Sequence, residues 1–135
     1  MSGVEANGMR ILITDDHPEM RLLIKTLIGD LAEVFIECAD GAEALPTYRE
    51  HRPDWVIMDI KMPGLDGISA TREISAAFPG ARIIIATDYD DCRLRKAAFS
   101  AGACEYVIKD ELIRLRDILT AGRGDDVGGR NASEA

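Results

Sequence analysis

Aromatic side chains are scarce in this chain: one Trp, three Tyr and three Phe among 135 residues. Ile, Leu, Val and Ala are plentiful instead, which suits a layered α/β core better than a β-sandwich. Three cysteines, Cys38, Cys92 and Cys104, form no C-x-x-C and no Cys/His spacing, which argues against a metal cluster. They read as free thiols filling a core in a reducing compartment. Positive charge is also short: 16 Lys and Arg against 24 Asp and Glu leave a formal charge of −8. Such a surface repels phosphate backbones, so direct nucleic-acid binding by this chain is not expected. No apolar run reaches membrane-spanning length, and the opening MSGVEANG lacks the apolar region of a signal peptide. The expectation is one cytoplasmic domain with no membrane contact. Neither G-x-x-x-x-G-K-[ST] nor G-x-G-x-x-G is present, nor a Ser/His/Asp set.

What the chain has is WVIMDIKMPGLDG, residues 55–67. Four apolar residues are too few for a helix and suit a strand buried on both faces. Asp59 ends the run, and a Pro/Gly loop follows. Open α/β sheets place their sites at the carboxyl ends of such strands, although Asp also caps turns without further purpose. On this stretch alone both readings stand.

The remaining segments favour the first. Residues 1–8 read as a flexible lead-in, residues 9–120 as the domain, and residues 121–135 as a disordered tail with almost no apolar content. Ile11–Thr14 is a short strand ending on Asp15-Asp16. Pro18 opens a helix whose apolar side is Leu23, Ile24, Leu27 and Leu31. Val34–Ile36 is the second strand. Asp40 and Glu43 resemble a capping box, and Pro46 inside the following helix predicts a kink, at a cost of roughly 3 kcal/mol for an interior proline. Ile68, Ile74 and Phe78 mark a third helix, stopped by Pro79-Gly80. A fourth strand ends on Thr87. Asp90 or Asp91 caps a fourth helix that closes at Gly102. The fifth strand, Glu105–Ile108, ends on Lys109, and Asp110 is placed to cap a last helix with core residues Leu112, Leu115 and Leu119. Strands alternating with helices make a parallel sheet covered on both faces, and right-handed crossovers bring every strand's carboxyl end to one edge. Asp15, Asp16, Asp59, Thr87 and Lys109 meet there.

Three carboxylates about 5 Å apart repel by roughly 3 kcal/mol per pair at an effective dielectric near 20. An all-oxygen set that needs a cation selects a hard one, Mg²⁺ before Zn²⁺, and Mg²⁺ commonly completes its shell with a phosphoryl oxygen. Lys109 and the Thr87 hydroxyl can each meet another such oxygen. A carboxylate can itself be the nucleophile, giving an aspartyl phosphate.

Asp15-Asp16, VIMDIKMPGLDG, Thr87 and Tyr106-Val107-Ile108-Lys109 together resemble the receiver domain of two-component response regulators, over about residues 9–120. The resemblance implies a flavodoxin-like, doubly wound five-stranded parallel sheet in the order 2-1-3-4-5 with helices on both faces. It also implies that Asp59 accepts the phosphoryl group and that Asp15, Asp16 and the Lys61 carbonyl hold Mg²⁺ with it. Lys109 would pair with the phosphoryl group, Thr87 would be the switch hydroxyl, and Tyr106 the aromatic that turns with it. A histidine kinase or phosphotransfer protein would be the donor, and a homodimer or a partner the output. Asp16-His17-Pro18, residues 87–91 and residues 102–110 look like the subfamily that carries a helix-turn-helix output domain. Two departures are Asp88, where many receivers have a small residue, and Asp110, where many have proline.

Two other readings share the fold. One is a phosphorylation-independent interaction module, which usually lacks part of the set retained here. The other is a magnesium phosphohydrolase, which requires an acid/base Asp where Lys61 stands. No conventional turnover is expected beyond self-phosphorylation and slow self-dephosphorylation. Water would reach an aspartyl phosphate between Lys61 and Tyr89, two long side chains able to lean over the site. Trp55 is read as edge packing and His17 as a surface residue beside the carboxylates.

Overall fold

The computed structural model describes residues 8–124. Its strands are β1 (Met9–Thr14), β2 (Ala32–Cys38), β3 (Trp55–Met58), β4 (Ile83–Thr87) and β5 (Glu105–Ile108). They form one five-stranded sheet in the order β2-β1-β3-β4-β5, every neighbouring pair parallel. This is the 2-1-3-4-5 arrangement that the sequence implies. The helices are α1 (Pro18–Ile28), α2 (Ala44–His51), α3 (Gly67–Ala77), α4 (Cys92–Ala101) and α5 (Arg114–Gly124).

Two apolar clusters cover the two faces of the sheet. One joins Leu12, Val56, Met58, Ile83 and Ile85 to Tyr48, Ile68, Ile74 and Ala98 of α2, α3 and α4. The other joins Ile11, Ile13, Ile57, Ile84 and Val107 to Ile24, Ile28, Leu115 and Leu119 of α1 and α5. Alternate residues of each central strand thus enter opposite clusters, which explains why β3 and β4 read as unbroken apolar runs. Strand order reverses between β1 and β3, so the crevice of a doubly wound sheet opens above those two strands. No helix among the described residues is long and apolar enough to cross a membrane.

Several local expectations are corrected. Leu23 is exposed on α1, and Ile28 is buried in its place. The inward stripe runs through Ile24, Leu27 and Ile28, and Leu23 falls on its flank. Pro46 does not kink a helix. Residues Gly41–Glu43 form a 3₁₀ turn, α2 begins at Ala44, and Pro46 sits in its first turn, where an N–H has no intrahelical acceptor in any case. Asp40 does cap that 3₁₀ turn, through a 2.8 Å bond from the Ala42 amide. Asp110 does not cap α5; Lys109–Glu111 form a further 3₁₀ turn, and the helix starts three residues later. Cys38 is buried, whereas Cys92 and Cys104 are exposed and fill no core. Helix α5 continues through Gly124, four residues past the expected boundary, and the rest of the tail lies outside the described residues, as do residues 1–7.

Candidate functional site

Strands β1 and β3 lie side by side with Thr14 opposite Met58, so Asp15 and Asp59 leave the sheet as neighbours. The Asp59 amide donates to the Thr14 carbonyl at 2.9 Å and the Asp15 amide to the Cys38 carbonyl at 3.0 Å, which extends the ladder one residue past each strand. Both carboxylates are buried, Asp15 at 2% exposure and Asp59 at 6%. Lys109, delivered by the end of β5, reaches across to both. Its ammonium donates to Asp15 Oδ2 at 3.0 Å and stands 3.2 Å from Asp59 Oδ1. Burial works against the charged ammonium, but the bond to Asp15 and the two carboxylates override it and raise the Lys109 pKa.

Burial first, and the Asp15 charge second, push Asp59 up to about 6 against the pull of Lys109 and the Ile60 amide. That amide donates to Asp59 Oδ1 at 2.9 Å. Asp59 Oδ2 has no hydrogen bond among the described residues. One ammonium faces three carboxylates here, so the cluster holds an excess of negative charge.

Asp16 supplies the third carboxylate. Its Oδ1 is buried without a hydrogen-bond partner. The His17 Nδ1 stands 3.2 Å from it, but also 3.3 Å from Asp15 Oδ1, with which it makes the better-directed contact. A ring nitrogen carries at most one proton and cannot serve both acceptors fully. Asp15, Asp16, His17 and Asp59 each offer a ligand atom, and these atoms all lie within 4.8 Å of one another. An orphaned buried carboxylate oxygen within a hard, oxygen-rich set fits a hard divalent cation. The reading of His17 as a surface residue is right in exposure, 61% for its side chain, but overlooks how its ring leans onto both carboxylates.

Thr87 is fully buried, and its Oγ1 accepts from the Tyr89 amide at 3.2 Å. The Tyr89 carbonyl accepts from the Tyr106 hydroxyl at 2.7 Å. The Tyr106 ring is at 1% exposure, so it already lies inside, with the Arg95 guanidinium 4.7 Å from its centroid. Tyr89 itself is partly exposed, and the Lys61 ammonium stands 5.5 Å from its ring centroid. The structure therefore brings Asp15, Asp16, Asp59 and Lys109 into one cluster. It links Thr87, Tyr89 and Tyr106 into a second chain, and joins Lys61 to Tyr89 at the rim.

Sequence reasoning missed Arg95, and also Arg21, which donates to the Asp15 carbonyl and to Glu37 Oε1. Their partners lie 11 and 6 or more positions away, at separations no local pattern marks. Asp66 was also missed, although it caps α3 through 2.9 Å bonds from the Ile68 and Ser69 amides, and the Asp-Gly-Ile-Ser order would have shown it.

Comparison with known proteins agrees with this geometry. The family model of the response regulator receiver domain matches residues 11–120. The chemotaxis protein CheY of Bacillus subtilis is 43% identical over 101 residues, which cover 74% of this chain and 84% of that protein. The oxygen regulatory protein NreC of Staphylococcus haemolyticus is 39% identical over 105 residues, 76% of this chain but 48% of its own length. A solved two-component response regulator of the LuxR family from Aurantimonas sp. SI85-9A1 superposes with a TM-score of 0.76 at 39% identity, covering 85% of this chain and 86% of that one. The chain spans most of some relatives and about half of others. With a matching model over most of its length and the acidic crevice in place, this chain belongs to the response regulator receiver domain family.

Proposed function

We propose that the protein is a phosphorylation-driven switch in which Asp59 takes a phosphoryl group from a phosphohistidine donor, a histidine kinase or a phosphotransfer protein. The observation that carries this reading is the buried Asp59 carboxylate with Lys109 Nζ at 3.2 Å and one oxygen, Oδ2, left without a hydrogen bond. Oδ2 attacks phosphorus, the bond from phosphorus to the donor nitrogen breaks, and the electron pair leaves with the imidazole. Because Asp59 is pushed up only to about 6, the nucleophile is still mostly ionised at neutral pH. Asp15, Asp16, Asp59 and the Lys61 carbonyl would hold Mg²⁺, which neutralises charge on the phosphoryl oxygens. Lys109 exchanges part of its pairing with the carboxylates for a phosphoryl oxygen.

The output route runs through Thr87. A phosphoryl oxygen that draws its hydroxyl away from the Tyr89 amide loosens the loop whose carbonyl holds Tyr106. Tyr106 is already inside in this state, so phosphorylation biases an existing arrangement rather than creating one. The surface affected is α4, β5 and α5, where Phe99 on α4 and Ile113, in the turn just before α5, are exposed at 42% and 58%. Docking of a second copy or a partner there is the expected readout. One longer relative is a transcriptional regulatory protein, so transcription regulation is the end point proposed for a switch joined to such a chain; otherwise the domain acts on a separate target.

Incubation with acetyl phosphate and Mg²⁺, followed by intact mass, tests the reading. One stable adduct on Asp59 supports it. No adduct favours a phosphorylation-independent interaction module, and continuous turnover of phosphate esters favours a phosphohydrolase. The lifetime of the adduct depends on the Lys61–Tyr89 pair at the rim. Tyr89→Ala is expected to speed loss of the adduct by about two- to fivefold, the factor corresponding to about 0.5–1 kcal/mol for an exposed cation–π contact. Equal decay of the two proteins in Mg²⁺ would remove Tyr89 as the shield.

A further inference from the structure

The loop after β3, residues 60–67, carries Lys61 and is held at its base and at its middle. At its base the Gly67 amide donates to the Ile60 carbonyl at 2.8 Å, and a Cβ on Gly67 would overlap the Asp59 carbonyl. At its middle it rests on the Asp40–Gly41 corner that follows β2. Asp40 Oδ1 accepts from the Leu65 amide at 3.4 Å while also accepting from the Ala42 amide at 2.8 Å. Gly64 has φ +75°, a left-handed conformation that glycine adopts without steric cost. A Cβ there would run into both oxygens of the Asp40 carboxylate, and one on Gly41 would run into the Leu65 carbonyl. The loop and the corner are thus in backbone-to-side-chain contact with no space between them, across a sequence separation of 25 residues.

We infer that Asp40 is a positioning residue for the metal side of the site, acting through the backbone of residues 60–67 and touching none of the reacting atoms. The inference rests on the Mg²⁺-dependent phosphoacceptor reading. The Lys61 carbonyl is one residue past Ile60, whose own amide and carbonyl are both fixed, to Asp59 Oδ1 and to the Gly67 amide. The arc between those two ends is what Asp40 holds, at Leu65. Without its acceptor the arc can lift, and the Lys61 carbonyl, the Mg²⁺ ligand of that reading, moves with it. Supports of this kind around metal ligands typically change affinity by tenfold or more.

Asp40→Ala and Asp40→Asn separate this role from simple stability, because the asparagine Oδ1 still accepts from Leu65 and Ala42. Without metal, hydrogen exchange at the Leu65 amide should accelerate in Asp40→Ala and stay near wild type in Asp40→Asn. A Mg²⁺ titration followed by the amide signals of Ile60 and Lys61 should give a dissociation constant about tenfold higher for Asp40→Ala and within about twofold of wild type for Asp40→Asn. Ile28→Val, a core truncation in the cluster on the opposite face of the sheet, serves as the control for lost stability and should leave the dissociation constant unchanged. Wild-type affinity in Asp40→Ala, equal weakening in both Asp40 variants, or equal weakening in Ile28→Val overturns the inference while leaving the phosphoacceptor reading intact. Wild-type amides that ignore Mg²⁺ altogether overturn that reading, and this inference with it.

Discussion

At the amino-terminal edge of the sheet, Arg82 lays its guanidinium 4.4 Å from the centroid of Trp55 and donates Nε to the Asp54 carbonyl at 3.3 Å. Arg52 does the same with Phe78, at 4.4 Å, and with the Arg49 carbonyl, and Arg10 donates to the His51 carbonyl at 2.8 Å. At the carboxyl-terminal edge, Asp15 and Asp59 converge on one lysine, and Asp16 beside them keeps an orphaned oxygen. Both edges concentrate like charge. All three arginines reach water and are bonded to carbonyls, and Arg52 and Arg82 are also stacked on aromatic faces, so each is satisfied from within the chain. Two of the three carboxylates are buried and need charge from outside. Crowding of one sign is therefore uninformative by itself; burial without a sufficient internal partner is what marks a site.

The sharpest break of this contrast is Asp59→Asn. The amide keeps the shape but cannot act as an anionic nucleophile, so the phospho-adduct should vanish while the fold persists. An adduct at the same position by intact mass would refute the assignment. Next in size is a pH effect measured in chelator. A folded-state pKa of about 6 against the ordinary 3.8 means that between these values the folded protein holds a proton that the unfolded chain releases. Stability from this group is fully present below about 4, declines as pH rises and is lost above about 6, by at most about 3 kcal/mol. Asp59→Asn should flatten that slope in urea unfolding, and an unchanged slope would mean that Asp59 is not the group responsible.

Asp16→Ala should raise stability without metal by about 1–2 kcal/mol, read as a higher melting midpoint, because it removes one member of a repelling set and an orphaned acceptor. It should also abolish the gain that Mg²⁺ confers. A lower midpoint in chelator would count against repulsion. The smallest effect belongs to the other edge. Arg52 sits at φ +44°, as the left-handed cap of α2. Arg52→Gly exchanges backbone strain for a lost stacking contact and should fall within about 0.5 kcal/mol of wild type, whereas Arg52→Ala should be about 1 kcal/mol worse than Arg52→Gly. Equal variants would show that the cap carries no strain.

The sheet was legible because each strand is a short apolar run ended by a polar residue, and because parallel crossovers leave only one edge for those ends. The meeting of Asp15, Asp16, Asp59 and Lys109 follows from that alone. Contacts that depend on side-chain reach were not legible. Asp40 to Leu65, Arg95 to Tyr106 and His17 across two carboxylates leave no periodic trace. Leu23 and Asp110 misled because a hydrophobe near a stripe, or an acid near a helix start, has the same local sequence whichever way the backbone turns. Pro46 misled for a related reason: its cost depends on which turn of the helix it occupies, and a 3₁₀ turn ahead of it moved the start.

Trp55, the sole tryptophan, stands at the first position of β3 and is buried, four residues before Asp59. At about 3.3 Å per residue that is about 13 Å from the acidic crevice, on the edge that neither Mg²⁺ nor a phosphoryl group approaches. Intrinsic fluorescence excited at the indole band therefore follows exposure of the core and is silent to occupancy of the crevice. Emission can serve as an unbiased thermometer of unfolding in every variant above, while any assay of loading needs a dye or an isotope placed on the opposite side of the sheet.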